Sequence, residues 1–227
     1  MFNGLIFRFP IPYFVLGTWC LLLAVGKGWA EESTAALERG KSLYEKHCAV
    51  CHGEKGDGNG QAALFLFPKP RDFTRGLFKV RSTSTGNPPT DSDLFRTLTD
   101  GMPGSAMPAF SSLPEADRNA LVNYVKKLGG VTQKPTSIIR PGTPPRSTPK
   151  LIAKGKEVYE EMECGTCHGK EGKGDGPSAP ELKDDWGQPT FPNPFTRGIY
   201  KGGGKPSDIY LRFTTGMSGT PMPSYEA

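Results

Sequence analysis

The segment Cys48-Ala-Val-Cys-His-Gly53 returns in the same chain as Cys164-Gly-Thr-Cys-His-Gly169, and it does not return alone. Gly40-Lys-Ser-Leu-Tyr44 precedes the first copy as Gly155-Lys-Glu-Val-Tyr159 precedes the second. Each copy is followed by Phe-Thr-Arg-Gly, at Phe73–Gly76 and Phe195–Gly198, and then by Ser92-Asp93 or Ser207-Asp208. Last come Gly101-Met102 with Met107-Pro108, matched by Gly216-Met217 with Met222-Pro223. Matching blocks kept in one order mark an internal duplication, so whatever fold this chain adopts must be built twice. Between the copies, residues 129–149 hold Pro135, Pro141, Pro144, Pro145 and Pro149, the composition of a semi-rigid linker. The expected units are therefore 31–128, the linker 129–149, and 150–227.

Residues 1–30 stand apart from this plan. Arg8 is followed by an apolar run from Ile11 to Gly26, and Gly28-Trp29-Ala30 then precedes Glu31-Glu32. That order is the pattern of an export signal with its cleavage site. The other reading is an uncleaved anchor, since the run is barely long enough to span a bilayer. Either way the remainder is exported, and the expected location is the periplasm, with a membrane attachment only if the segment is retained. Losing 1–30 removes Arg8 and Lys27 but no acid, which lowers the formal charge of +5 by two. With so small an excess and no long basic run, nucleic acid is a poor partner. A mean hydropathy of −0.44 excludes a polytopic membrane protein.

The helix signals point to an all-α fold. The spacing of Leu37, Gly40 and Tyr44 predicts a helix over 34–48 with those residues on one face. A short helix is expected over 92–100, with Ser92 as N-cap and Gly101 as stop. Ser112-Leu-Pro-Glu115 reads as a capping box that opens a helix striped by Leu121, Val125 and Leu128. No long alternating run suggests a sheet. So few helices bury too little surface to hold a module of ~95 residues, and something else must fill its middle.

The cysteines say what fills it. Cys20 falls inside the export segment, and four cysteines in an exported remainder would ordinarily suggest two disulfides. Here each pair is instead part of Cys-x-x-Cys-His, the attachment signature of c-type haem. Two sulfurs three residues apart on a helical turn share a face and reach both vinyl groups of one porphyrin. The adjacent His offers an imidazole nitrogen to the iron. Cys48, Cys51 and His52 are thus assigned to one haem, and Cys164, Cys167 and His168 to another. A Zn site made from both pairs leaves the two matching histidines unexplained, and a thiol redox pair leaves the repeated Met-Pro blocks unexplained.

The sixth ligand follows from counting. Of three histidines two are used, and the third, His47, adjoins Cys48 and cannot reach the far face of the same haem. Methionine is the remaining soft ligand. Met107 and Met222 are preferred because Pro108 and Pro223 hold the preceding residue extended. Met102 and Met217 directly follow a helix-stop glycine and read as packing residues near the haem edge, and Met162 as ordinary helix packing.

With these residues in place, the chain resembles dihaem c-type cytochromes made of two class I cytochrome c domains. The resemblance covers about Thr34–Leu128 and Leu151–Ala227. It implies that the N- and C-terminal helices cross at a Gly/aromatic contact, for which Gly40 and Tyr124 are the match. It also implies a Met-Pro distal ligand, in agreement with Met107 and Met222. A Pro soon after the haem motif, whose carbonyl orients the proximal His, is matched by Pro177; Asn59 stands at that place in the first copy, so the two potentials are expected to differ. The chain ends five residues after Met222, so the second copy is expected to lack its closing helix, as in an incomplete gene product. Gly155 and Tyr159 are then left without a partner.

Smaller signals carry smaller expectations. Gly53–Gly60 and Gly169–Gly176 lack the Lys-Ser/Thr ending of a phosphate loop and read as tight turns. Arg75 and Arg197 either pair with haem propionates or are solvated. Trp186, present only in the second copy, either donates to a propionate or packs. Lys79 and Lys201 are expected on a docking face. The expected function is an electron carrier with two His/Met-ligated haems c, serving redox proteins such as a respiratory complex or a periplasmic oxidoreductase. The alternatives are a dihaem peroxidase-like enzyme, for which the sequence supplies no spare acid–base pair, and the cytochrome portion of a larger oxidoreductase subunit.

Overall fold

The structure is a computed structural model that describes Met1 and residues 34–226. The predicted export segment, Cys20 included, lies outside the described residues. Among the described residues every regular element is helical, and the only strand-like pairings are isolated bridges, Thr83 with Ile138 and Lys183 with Pro189. The all-α expectation holds.

In the first module a helix over 34–47 (α1) leads through Cys48 into the short α2, Ala49–His52. It is followed by α3, Asp91–Asp100, and α4, Glu115–Leu128. Helices α1 and α4 cross at Gly40, where a Cβ would sit 2.8 Å from the Ala120 carbonyl carbon and 2.9 Å from Tyr124 Cβ. Only a residue without a side chain lets the two backbones come that close. Beside the crossing Tyr44, fully buried, tilts against Tyr124 with ring centroids 5.3 Å apart. Leu121, Val122 and Val125 of α4 join Leu94 and Leu98 of α3 in one apolar cluster, with Leu128 packed against it.

Two helix starts differ from the sequence reading. The N-cap of α3 is Thr90, not Ser92. Thr90 Oγ1 accepts from the Asp93 amide at 3.1 Å, and Asp93 Oδ2 accepts from the Thr90 amide at 2.9 Å, a reciprocal box. Ser92 only shares a hydroxyl contact with Thr90 at 2.8 Å. The Ser112 box does not form either, because α4 begins directly after Pro114, whose ψ of 149° is extended. Ser112 is thereby left two residues outside the helix, out of reach of its third amide.

The second module opens with α5, Pro149–Glu161, whose N-cap Thr148 accepts from the Leu151 amide at 3.2 Å. It continues with α6, Gly165–His168, and α7, Pro206–Thr215. No helix follows α7 among the described residues, and nothing lies on α5 as α4 lies on α1. A Cβ on Gly155 would meet nothing within 4 Å, and Ile152 is 65% exposed.

The segment between the modules folds back onto the first. Val131 packs against its core, the Ser84 amide donates to Ser137 O at 3.3 Å, and the Ile139 amide donates to Ser82 O at 2.8 Å. The two modules then meet face to face. Arg81, 2% exposed, donates through both Nη atoms to Thr215 O at 2.9 and 2.8 Å. Arg212 Nη2 returns a bond to Arg81 O at 2.6 Å, and Arg96 pairs with Asp208 at 2.7 Å.

Candidate functional site

The two Cys-x-x-Cys-His segments fold alike and share their main turn bonds. Each motif is one helical turn: the His52 amide donates to Cys48 O and the His168 amide to Cys164 O, both at 2.9 Å. Each is then turned back by glycines. Gly58 donates to His52 O at 2.8 Å and Gly174 to His168 O at 2.7 Å, while Gly60 and Gly176 donate to Cys51 O and Cys167 O at 3.2 Å. The turn starts at Gly53 and Gly169, with φ of 77° and 80°, a region an L side chain rarely enters. Tyr44 and Tyr159 fasten it by donating their hydroxyls to Gly53 O at 2.8 Å and Gly169 O at 2.7 Å. Tight turns are thus what these glycine-rich segments form.

The imidazoles are held in one tautomer. His52 Nδ1 lies 2.9 Å from Arg71 O and His168 Nδ1 lies 3.3 Å from Asn193 O. A carbonyl only accepts, so each Nδ1 carries the proton and each Nε2 keeps a free lone pair. Burial lowers both histidine pKa values and keeps the rings neutral. A phenylalanine fixes each ring: Phe73 stacks on His52 and Phe195 on His168, with centroids 4.5 Å apart in both. The orienting carbonyl is therefore neither Asn59 nor Pro177. Because Gly60 and Gly176 occupy the same place in the turn, the counterpart of Pro177 is Gln61. Arg71 and Asn193 carry out the orienting role in both copies, and the expected difference in potential loses that basis. Sequence reading singled out the Phe-Thr-Arg-Gly repeat for its arginine; its phenylalanine is what touches the site.

The methionine loops also repeat. The Met102 amide donates to Met107 O at 3.1 Å and the Met217 amide to Met222 O at 3.2 Å. Ser105 and Thr220 close the two loops by donating hydroxyls to Met102 O and Met217 O at 2.7 Å. Gly101 and Gly216 end the preceding helices in close contact with Pro108 and Pro223: a Cβ there would fall 2.6 and 2.7 Å from the proline carbonyl carbons.

These residues surround a cavity of about 440 Å³ in the first module. Its lining brings together Cys48, Cys51, His52, Met102 and Met107 with an apolar wall that includes Phe78, Leu94 and Val125. Met107 also packs against the core. His47 borders the same cavity and meets Phe110 edge-on at 6.4 Å. In the second module Cys164, Cys167, His168 and Met222 are all half-buried, and Tyr225 lies beside the two cysteines. None of the four described cysteines forms a disulfide, and burial pushes the Cys48 thiol up to about 11. Paired thiols on one turn, a neutral imidazole with a free Nε2, and a thioether in an apolar cavity suit a covalently held porphyrin iron.

The sequence did not reveal that the second module completes the first cavity. Asp184, Trp186, Gln188, Thr190 and Lys201 all line it. Trp186 neither packs blandly nor stays free as a donor: its indole N–H donates to Asp72 Oδ2 at 2.8 Å. The Arg71 and Arg75 guanidinium groups lie over its ring at 4.4 and 5.1 Å. Arg75 spends a donor on Asp185 O at 2.9 Å, and Arg197 is exposed. Lys79 and Lys201 are not on an outer docking face, since both border the cavity. Their only advance signal was their equal distance from the repeated Phe-Thr-Arg-Gly.

Comparison with known proteins agrees with this geometry. The family model for cytochrome c matches residues 37–129 and 152–226. A chain of the Kuenenia stuttgartiensis reducing HAO-like protein complex superposes with a TM-score of 0.80 at 47% identity, covering 83% of this chain and 87% of that one. The cbb3-type cytochrome c oxidase subunit FixP of Azorhizobium caulinodans is 28% identical over 84% of this chain and 53% of its own length. The CcoP subunit of Azospirillum brasilense is 35% identical over 42% of this chain and 30% of its own. The chain spans about half the length of the first of these oxidase subunits, and less of the second. No helix among the described residues is long and apolar enough to cross a membrane.

Proposed function

The chain belongs to the cytochrome c family, and we propose that it is a periplasmic electron-transfer protein carrying two covalent haems c, each with His/Met ligation. The observation that carries this reading is the duplicated geometry. The same imidazole tautomer, the same stacked phenylalanine and the same pinned methionine loop occur twice.

Bound haem iron supplies reversible one-electron chemistry. The chain's own residues do the rest. Cys48 with Cys51, and Cys164 with Cys167, provide the thiols for attachment. His52 and His168 present Nε2, held by the carbonyls of Arg71 and Asn193. Met107 and Met222 would provide thioether sulfurs to the iron, a pairing with histidine that would raise the potential relative to harder ligands. The apolar wall of the first cavity, which includes Phe78, Leu94 and Val125, would pack on the bound haem and keep part of it from solvent.

The matches also support a setting. The chain is 47% identical to a component of a reducing HAO-like complex, and FixP and CcoP, to which it is also similar, are oxidase subunits. We read it as the cytochrome portion of an assembly that passes single electrons to or from a redox enzyme. An optical redox titration of purified protein, with a haem-to-protein ratio and a peroxide challenge, tests the reading. Two low-spin haems per chain that do not consume peroxide are expected. One high-spin haem that consumes peroxide would replace the carrier with a peroxidase-like enzyme.

A further inference from the structure

Four Lys and Arg side chains from two modules line the first cavity; Lys69 is bonded to Ala63 O at 2.6 Å, which leaves Arg71 and Lys79 from the first module and Lys201 from the second. Lys79 and Lys201 hold the same place in the repeat, six residues after Phe73 and Phe195 respectively. Among the described residues neither lysine has a hydrogen bond or an ion pair. Both are half-buried, and burial pushes Lys79 down to about 8, helped by Arg71 and Lys201 beside it. Burial likewise lowers Lys201.

The acids that line the same cavity are committed elsewhere. Asp72 accepts from Trp186 and Thr74, and Asp184 accepts the amides of Trp186 and Gln188 at 3.0 and 2.9 Å. Asp57 accepts the Asn59 amide at 3.1 Å. Asp184 faces Arg71 and Lys79, and Asp72 and Asp185 face Arg71, but among the described residues none of these carboxylates forms an ion pair with Arg71, Lys79 or Lys201. Desolvated cations without a direct ion-pair partner are costly, and a site that gathers them suits an anion.

Resting on the reading that a haem occupies this cavity, we propose that Arg71, Lys79 and Lys201 form one site, completed by the second module, that takes the propionate carboxylates of the first haem. Two links tie the same site to both haem neighbourhoods. The Arg71 carbonyl holds His52, and its guanidinium donates to Ser218 O at 3.2 Å, inside the second methionine loop. The second module is thus part of the first haem's binding site, and undocking it removes a charge from that haem.

The test uses the full-length haem-loaded chain and compares Lys201→Gln, Lys79→Gln and Lys201→Arg with an exposed control, Lys173→Gln. The readout is the potential of each haem by spectroelectrochemistry. The first haem is identified by the step that Met107→Ala turns high-spin, and haem content is measured separately. A nearby cation favours the reduced state, so each Gln variant is expected to lower the reduced-to-oxidised ratio of the first haem about tenfold at fixed potential, or 59 mV for one electron. The Arg variant and the control should leave it in place. Unchanged potentials, or a shift in the second haem alone on Lys201→Gln, would overturn the shared site. Absence of covalent haem from the unmodified chain would instead overturn the reading on which it rests.

Discussion

A histidine becomes a good iron ligand when one nitrogen is occupied and the other is left free, and the backbone alone achieves this here. Arg71 and Asn193 contribute only their carbonyls to that task, so a side-chain change at either leaves it intact. The methionine choice is more exposed to test, because Met102 and Met107 both border the cavity. Met107 precedes Pro108, packs on the core, and has its carbonyl pinned by the Met102 amide. Met107→Ala is expected to turn one haem high-spin, read from the optical and electron paramagnetic resonance spectra, while Met102→Ala leaves both low-spin. The reverse pattern would exchange the two roles. Met222→Ala is expected to do the same to the other haem.

At the scale of elements, the same Gly-x-x-x-Tyr pattern sits in two different environments. On α1, Gly40 is pressed against the backbone of α4; on α5, Gly155 faces open space. Gly40→Ala should therefore lower stability by about 1–3 kcal/mol, the range for overpacking a tight contact. Gly155→Ala should raise it by roughly 0.5–1 kcal/mol, since alanine is the better helix former and meets nothing. Thermal unfolding of the two variants, followed by circular dichroism, reads the opposite signs. Equal destabilisation at both positions would mean that α5 is covered by another helix in solution.

What could be read in advance follows the range of each interaction. The stripe on α4 and the tight glycine turns are encoded by local spacing, the Gly40–Tyr124 crossing is implied by the family resemblance, and the structure has all three. Helix starts were less legible because several hydroxyls compete for one amide: Thr90 outranks Ser92 through its reciprocal bond with Asp93. The orienting carbonyl was illegible because every residue has one, and only the path of the chain decides that residues 71 and 193 bring theirs to the ring. The bond from Trp186 to Asp72 and the place of Lys201 in the first cavity depend on how two modules dock, which no local pattern encodes.

For the molecule as a whole, the question is which contact makes two modules behave as one. Of the contacts that cross the seam, two differ most in kind. Arg96 and Asp208 form an ion pair at 2.7 Å; Asp208 is buried, but the Arg96 side chain is 46% exposed, so solvent screens the pair, and Asp208 keeps its bond from the Lys205 amide when Arg96 is neutralised. Arg96 holds the Asp208 carboxyl below its usual 3.8. Its stabilisation is therefore complete above that value and lost only as pH falls through the lowered one, so mild acid leaves the seam in place. Arg81 is different in kind. Its guanidinium is buried and donates twice to Thr215 O, and its own carbonyl accepts from Arg212. Truncating it strands a buried carbonyl, at a cost of roughly 1–3 kcal/mol. Arg81→Ala is thus expected to split one calorimetric unfolding transition into two and to raise amide exchange around Thr214–Gly216, whereas Arg96→Gln keeps a single transition. If Arg96→Gln splits the transition and Arg81→Ala does not, the seam is held by surface charge instead of by the buried guanidinium.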